Sequence, residues 1–263
     1  MTKITAARAA RSQQLRDNQE RVLAVKRDSA LYRTSALAFG AFFLFTLWAF
    51  WPSYFSRPLS LPDVRFQAHG LSMTLWCLLL IGQGTLIRAN RRPLHRQLGK
   101  LSYVLVPAVV VSSVSLMHFR MQGAPLTSLN LFSLALVLNA LVVFVAIYGL
   151  AMSHRREAPV HARYMVCTLF PLFTPVTDRL IFAHYQPVLA YVPWLDGSPL
   201  APVAGFVLAD LILVMLSVWD WQSNKRANVF PVALGLLVAY HASVLTFHRI
   251  PLWRTFGEWF VRL

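Results

Sequence analysis

The chain has 263 residues, of which 57% are hydrophobic and 13% are charged, and its formal net charge is +15. A soluble domain of this length carries about a quarter charged residues, so this composition excludes an ordinary soluble protein and predicts a polytopic membrane protein. A nucleic-acid-binding protein concentrates Lys and Arg on one soluble face. Here the basic residues lie between apolar runs, so we expect the lipid bilayer and no nucleic acid as the partner.

The chain divides into three predicted parts. Residues 1–33 are polar and basic without a secretory signal pattern, and we expect a basic amphipathic helix on the cytoplasmic membrane surface, where its cations attract anionic lipid. Residues 34–249 are predicted to form a seven-helix transmembrane domain. Residues 250–263 are expected to form a short outer C-terminal segment.

Seven apolar runs are long enough to span a bilayer, which predicts an all-α seven-helix bundle. Of the 25 Lys and Arg, 18 lie before the first run or in alternate connections on one side, six lie on the other side, and Arg179 alone lies within a run. The positive-inside rule then predicts a cytoplasmic N-terminus and an outside C-terminus. We expect the bacterial inner membrane as the location. The predicted spans are 34–52, 68–88, 101–118, 128–152, 164–184, 201–221 and 229–249.

Two basic connections repeat one pattern. RRPLHRQLGK at 91–100 and RREAPVHARYM at 155–165 both contain paired arginines, then proline, histidine and a further arginine. Each precedes an odd-numbered span. Proline starts helices well and cations anchor the cytoplasmic interface, so the repeat has a plain structural explanation. It also predicts related hairpins that bring His95 and His161 together.

These loops resemble bacterial families of predicted membrane proteins of unknown function. The similar residues run from His69 in AHGLSM and Gln83 in IGQGTLIR through LHRQLGK at 94–100 to HARYM at 161–165 and Arg179. The resemblance implies a multi-pass membrane fold and a functional role for His69, His95, His161 and Arg179, and it implies no reaction. A weaker resemblance is to cytochrome b561-like helical bundles, which bind haem between histidines of neighbouring spans. The fourth span has no histidine, which departs from a two-haem pattern.

The fifth and sixth spans carry charges at membrane depth. At about 1.5 Å per residue, Arg179 lies about 22 Å into the fifth span and Asp210 about 14 Å from the outer end of the sixth. Intramembrane charges usually face the bundle interior, paired or beside water. Two interpretations remain open here: an internal ion pair of Arg179 with Asp210 or Asp178, or a catalytic, substrate or proton site made of these three residues.

Two prolines interrupt the fifth span, Pro171 and Pro175. Each removes a helical hydrogen bond and frees a carbonyl about one turn earlier, which predicts a kinked helix. Thr174 and Thr177 are expected to satisfy part of the freed groups, and the kink is expected to hold Arg179 in a polar cavity.

The histidines support two ligand hypotheses. Haem b needs an imidazole on each face, from different helices, and quinone-like donors or partner membrane subunits would supply its electrons. The candidate haem ligands are His95 with His161 on the inside, or His69 with His241 or His184 on the outside. Alternatively, His69, His241 and His248 with Asp178 or Asp210 would hold zinc with an open position. The seven-residue spacing of His241 and His248 departs from the closer pairs expected of seven-span metallohydrolases.

Several function classes are excluded by missing patterns. The sequence has no HExxH, Walker loop or dinucleotide glycine pattern, and its four lysines lie outside the spans, which excludes a retinal Schiff base. Cys77 and Cys167 lie at different predicted depths, so no disulfide is expected. The leading prediction is a haem- or metal-binding redox protein with a polar site in the outer half, formed by spans two, five, six and seven. The alternatives are a proton-coupled carrier or channel, a membrane metallohydrolase and a non-catalytic accessory subunit.

Overall fold

The structure is a computed structural model that describes residues 13–14, 34–56 and 63–263. Seven helical segments are long and apolar enough to cross a membrane, so the predicted all-α helical bundle and its number of spans are confirmed. The predicted surface helix at 1–33 lies outside the described residues except for two positions. The orientation in the membrane stays a prediction.

The spans begin and end close to the predicted positions. The first is α1 (Thr34–Phe55), and the fifth, Ala158–His184, is built from two helices. Chain connectivity alternates the direction of the spans, so we call the end with the connections at 89–91, 154–157 and 225–229 the basic end, and the opposite end the far end. The remaining helices are α2 (Val64–Arg88), α3 (Arg92–Gly99), α4 (Ser102–Met121), α5 (Ser128–Ser153), α6 (Ala158–Cys167), α7 (Phe173–His184), α8 (Pro202–Asn224), α9 (Phe230–Phe247) and α10 (Pro251–Arg262).

Proline residues determine where helices begin, break or change form in the first and fifth spans. In the fifth span, a 3₁₀ turn at Phe170–Leu172 containing Pro171 separates α6 from α7, so the predicted kink is confirmed. This span begins six residues earlier than predicted because Pro159 lies in the first turn of α6, where its missing N–H costs nothing. At the far end, α1 finishes in a π-helical turn, Trp51–Phe55, that contains Pro52.

α5 lies at the centre of the bundle. It packs against α9 and α6 on one side and α4 on the other, while α2 packs on α4 and α8 packs on both α7 and α9. Of the three apolar clusters in the described residues, the two larger ones contain Phe230, Leu213 and Ile147 in one and Trp76 and Phe144 in the other. Large apolar side chains cover the outside of the spans, as expected for a surface that faces lipid.

Two further features complete the far end. A two-stranded hairpin, β1 (Trp194–Leu195) with β2 (Ser198–Pro199), lies in the connection between α7 and α8. The predicted outer C-terminal segment is the helix α10, which packs on α5 and α4. Trp253 donates its indole N–H to the Leu131 carbonyl at 3.0 Å, and Phe260 packs with Met117 and Met121. Both cysteines are buried free thiols.

Candidate functional site

A layer of polar side chains crosses the far half of the bundle. Counted along their helices at about 1.5 Å per residue, its members lie about 7–15 Å from the far end. That depth is inside a hydrocarbon core about 30 Å thick, where polar groups need partners. We call this set the polar layer: His69 on α2, Ser113 on α4, Thr174, Asp178 and Arg179 on α7, Asp210 on α8, and Tyr240 and His241 on α9.

His241 and Asp210 form the closest acid–base pair of the polar layer. His241 Nδ1 lies 3.0 Å from Asp210 Oδ2, and the imidazole stacks on Phe206 with ring centroids 4.0 Å apart. A carboxylate only accepts hydrogen bonds, so Nδ1 carries a proton and Nε2 is the nitrogen that gains or loses one. The other Asp210 oxygen, Oδ1, is buried with no hydrogen-bond partner in the described part of the chain.

Asp178 lies beside Tyr240. The Tyr240 ring is 3% exposed, its hydroxyl donates to the Leu136 carbonyl at 3.2 Å, and it also lies beside the Thr174 side chain and within electrostatic range of Asp178. Asp178 Oδ1 is buried, and among the described residues nothing donates a hydrogen bond to it. The polar layer therefore contains two carboxyl oxygens to which none of the described residues donates.

Arg179 is held by a backbone group and an aromatic ring. Its Nη1 donates to the Pro175 carbonyl at 3.0 Å, and its guanidinium carbon lies 4.0 Å from the centre of the Phe50 ring of α1. Cation–π contact over the ring face orients the planar fork, and its other N–H groups donate to none of the described residues. The fork lies within electrostatic range of His69 and Arg120.

Of the two ion-pair partners considered for Arg179, Asp210 does not pair with it among the described residues. Asp210 pairs with His241 instead, and Arg179 turns towards α1. Side-chain height alone suggested the pairing, whereas the direction around the helix axis decides which neighbour is reached. Asp178 remains within electrostatic range of Arg179 without an ion pair between them in the described residues.

His69 bonds to a neighbouring helix. Its Nδ1 lies 3.2 Å from the Ser113 hydroxyl of α4, which itself donates to the Val109 carbonyl at 2.6 Å. Since that hydroxyl has given its hydrogen to Val109, it accepts from Nδ1–H, and His69 Nε2 is left as an acceptor. The predicted haem partner His184 stacks on Trp48 at 4.9 Å, outside the polar layer.

At the basic end, His95 and His161 come within electrostatic range of each other, as the repeated loop pattern predicts. His161 Nδ1 donates to the Ala151 carbonyl at 2.8 Å, so its Nε2 is an acceptor. The Gln83 amide accepts from the Gly99 N–H at 3.2 Å and donates to the His95 carbonyl at 3.0 Å and to His95 Nδ1. His95 therefore carries its proton on Nε2.

A buried ion pair at the basic end escaped the sequence reasoning. Arg163 Nε and Nη2 donate to the two carboxylate oxygens of Asp220 at 2.9 and 2.7 Å, and the two residues are 0% and 1% exposed. Nη1 donates to the Pro159 carbonyl, and Asn224 donates to Asp220 at 2.7 Å. Arg163 belongs to the HARYM motif, and the sequence analysis treated it only as a cation of the cytoplasmic loop. The sequence did contain one sign of a buried pair: Asp220 is a second acidic residue in the apolar run of the sixth span.

The predicted zinc ligands are not brought together. No group of three or more His, Cys, Asp or Glu that could hold a metal ion occurs in the described part of the chain. His69 and His241 have the partners given above, and His248 accepts from Arg249 Nε at 3.3 Å. Partial burial, and then the charge of Arg249, lower the pKa of His248 from its usual value.

No protein-family model matches the sequence, no curated protein matches it, and no solved structure matches the fold. The family resemblance of the loops therefore stays a prediction.

Proposed function

We propose that this chain is an integral membrane carrier or channel that binds a small anionic solute in the polar layer and moves protons with it. The observation that carries the proposal is the pair of buried oxygens, Asp178 Oδ1 and Asp210 Oδ1, that no described residue hydrogen-bonds. A buried acceptor without a donor costs about 1–3 kcal/mol, and more for a charged group. Protons, water or a solute that supplies the donor would remove this cost.

Arg179 is the anion-binding group of the proposal. Its guanidinium is always charged and presents planar N–H donors that match carboxylate or phosphate oxygens. Of the described residues, only Pro175 accepts a hydrogen bond from it. Arg120 lies within electrostatic range and adds positive potential at the far end, which favours the entry of an anion.

The His241–Asp210 pair is the proton-carrying group. Nδ1–H stays bonded to Asp210 whether or not Nε2 is protonated, so the ring changes its charge without losing its position. Asp210 stabilises the imidazolium when the proton arrives. Asp178 is a second acid in the same layer, and the charge of a bound anion near Arg179 acts on both carboxyl groups.

The test is anion-driven proton movement in vesicles. Purified protein is reconstituted with a pH-sensitive dye inside, and gradients of chloride, phosphate or acetate are applied in turn. For at least one of these probes we expect an internal pH change that exceeds that of empty vesicles. Arg179→Gln removes a charge-assisted contact of about 1.5–3 kcal/mol, so the apparent affinity for the anion should fall about 10- to 150-fold.

Two comparisons make the result specific. Arg249→Gln removes the same charge from an exposed position outside the polar layer and should leave the flux unchanged. His241→Gln should keep uptake of the labelled anion while the accompanying pH change disappears. Wild-type vesicles that match empty ones for all three probes would contradict the proposal.

The redox function is the second candidate, and one observation favours it. The Ala151 carbonyl accepts from His161 Nδ1–H, which orients the ring and leaves Nε2 as the nitrogen that would ligate iron, as metal-binding histidines usually do. The partner ring fits less well, because Gln83 donates to His95 Nδ1 and the proton then sits on the nitrogen that would face the metal. The geometry therefore supports the carrier better than the haem protein.

A further inference from the structure

The short helix α3 and the residues beside it at the basic end carry a concentration of cations that no described carboxylate pairs with. Arg88, Arg91, Arg92, Arg96 and Lys100 fall within thirteen positions, and the sequence contains no Asp or Glu between Asp63 and Glu157. No carboxylate of the described chain forms an ion pair with any of these five side chains. Only Glu157 and Asp220 supply acid at this end among the described residues, and Asp220 is buried against Arg163.

α3 is also amphipathic in a way that suits a lipid interface. Leu94, Leu98 and Leu101 are spaced as i, i+4 and i+7 and are 42%, 38% and 51% exposed. Arg92 and Arg96 stand on a different side of the helix, since each is two positions and about 200° from a leucine. A surface with exposed aliphatic groups beside unpaired cations matches acyl chains beside anionic headgroups.

The length of the third span places α3 at headgroup depth. Together, α3 and α4 extend over the 30 residues Arg92–Met121. At about 1.5 Å per residue that is about 45 Å, longer than a hydrocarbon core of about 30 Å. The first ten residues therefore lie in the interfacial region when the apolar part of α4 fills the core.

Hydrogen bonds fix the orientation of α3 before any lipid binds. Gln83 of α2 bonds to the His95 and Gly99 backbones at 3.0 and 3.2 Å, and Ser102 donates to the Gly99 carbonyl at 2.6 Å. Ser102 also lies 2.8 Å from the Tyr148 hydroxyl of α5. The helix is thus bonded to α2 and α4, and through Ser102 of α4 it is braced by α5, so it presents a rigid face, which lowers the entropy cost of binding.

We infer that α3 is a binding surface for anionic phospholipid headgroups at the basic end. Its cations bind the phosphate groups while its leucine row enters the acyl region. Each cation near the membrane surface should raise the affinity for an anionic lipid about fivefold. This inference is independent of the polar layer and of any transport function.

The test is lipid retention by the full chain in detergent. Native mass spectrometry follows titrations with phosphatidylglycerol and, separately, with phosphatidylcholine. We expect a preference for phosphatidylglycerol that Arg92→Gln/Arg96→Gln lowers by roughly 25-fold, from two cations at about fivefold each. Arg92→Lys/Arg96→Lys keeps the charge and should keep most of the preference.

The matched control is Arg155→Gln/Arg156→Gln, which removes two exposed cations at the same end but outside α3. It should retain the preference. An equal loss in this control would show a general charge effect and overturn the assignment to α3, as would an unchanged preference in the Arg92/Arg96 variant. Displacement of the lipid by an equal concentration of inorganic phosphate would show recognition of a free anion and overturn the lipid surface.

Discussion

The buried pair of Arg163 and Asp220 makes a sharp prediction about stability. Asp220→Ala removes the carboxylate that accepts two hydrogen bonds from the Arg163 guanidinium, whose side chain is 1% exposed. Breaking a buried ion pair from one side costs about 3–5 kcal/mol. Asp220 also lies in the last turn of α8, where the helix dipole disfavours a negative charge, so the pairing offsets an unfavourable position.

A loss of about 3–5 kcal/mol in the free energy of unfolding raises the equilibrium constant for unfolding roughly 150- to 5,000-fold. The assay is reversible unfolding in mixed micelles with increasing sodium dodecyl sulfate, followed by circular dichroism. The matched control is Asp63→Ala, which breaks the Arg65–Asp63 pair at 2.9 Å, whose side chains are 41% and 21% exposed. Asp63 also caps α2, because its side chain accepts a hydrogen bond from the Arg65 backbone N–H at 2.7 Å. Loss of this cap and of the exposed pair together should cost only about 1–2 kcal/mol.

A double variant separates the charge from the space it fills. Arg163→Met/Asp220→Leu replaces both charges with apolar groups and should recover most of the lost stability, because neither charge is left alone. Two results would contradict a large cost of breaking the buried pair from one side. One is an Asp220→Ala variant that is destabilised no more than Asp63→Ala, and the other is a double variant as unstable as the single one.

Three further predictions concern the polar layer, the contact between α7 and α8, and the haem hypothesis. Asp210→Asn keeps an oxygen to accept from His241 Nδ1 and should leave folding intact while anion-driven pH change is lost; a retained pH change would remove Asp210 from the proton path. Gly205→Ala places a Cβ against Thr177 Oγ1 and should cost about 1–3 kcal/mol in the same micelle assay, with Thr177→Ala restoring part of it; equal stability would show that the helices separate freely. The visible spectrum of oxidised and dithionite-reduced protein should lack sharp haem bands; a Soret band lost in both His95→Ala and His161→Ala would establish the redox alternative.

The hydropathy pattern was sufficient to predict the seven spans because each needs a long apolar run with few charges. The same pattern predicted the kink in the fifth span from Pro171, since a missing N–H is a local property. The closeness of His95 and His161 followed from two similar loops. These features depend on residues that are near one another in the chain.

The partners of the charged residues depend on helix rotation and were therefore mostly missed. Arg163 and Asp220 are 57 positions apart, and nothing in either local pattern indicates that they meet. Asp210 and Asp220 are ten residues apart on one helix, about 80° from sharing a face, so they reach different neighbours. Hydropathy predicts how deep a side chain lies in the membrane but not which way it points around the helix axis. That orientation is the reason that Asp210 pairs with His241 and not with Arg179.

The position of α10 has a consequence for biogenesis. The indole of Trp253 bonds to a carbonyl 122 residues earlier in the chain, and Phe260 fills a niche formed by the ends of α4 and α5. Spans three and four are synthesised well before the residues of α10 that pack on them. The niche at their far ends is therefore covered only once the seventh span and α10 have followed them in the chain.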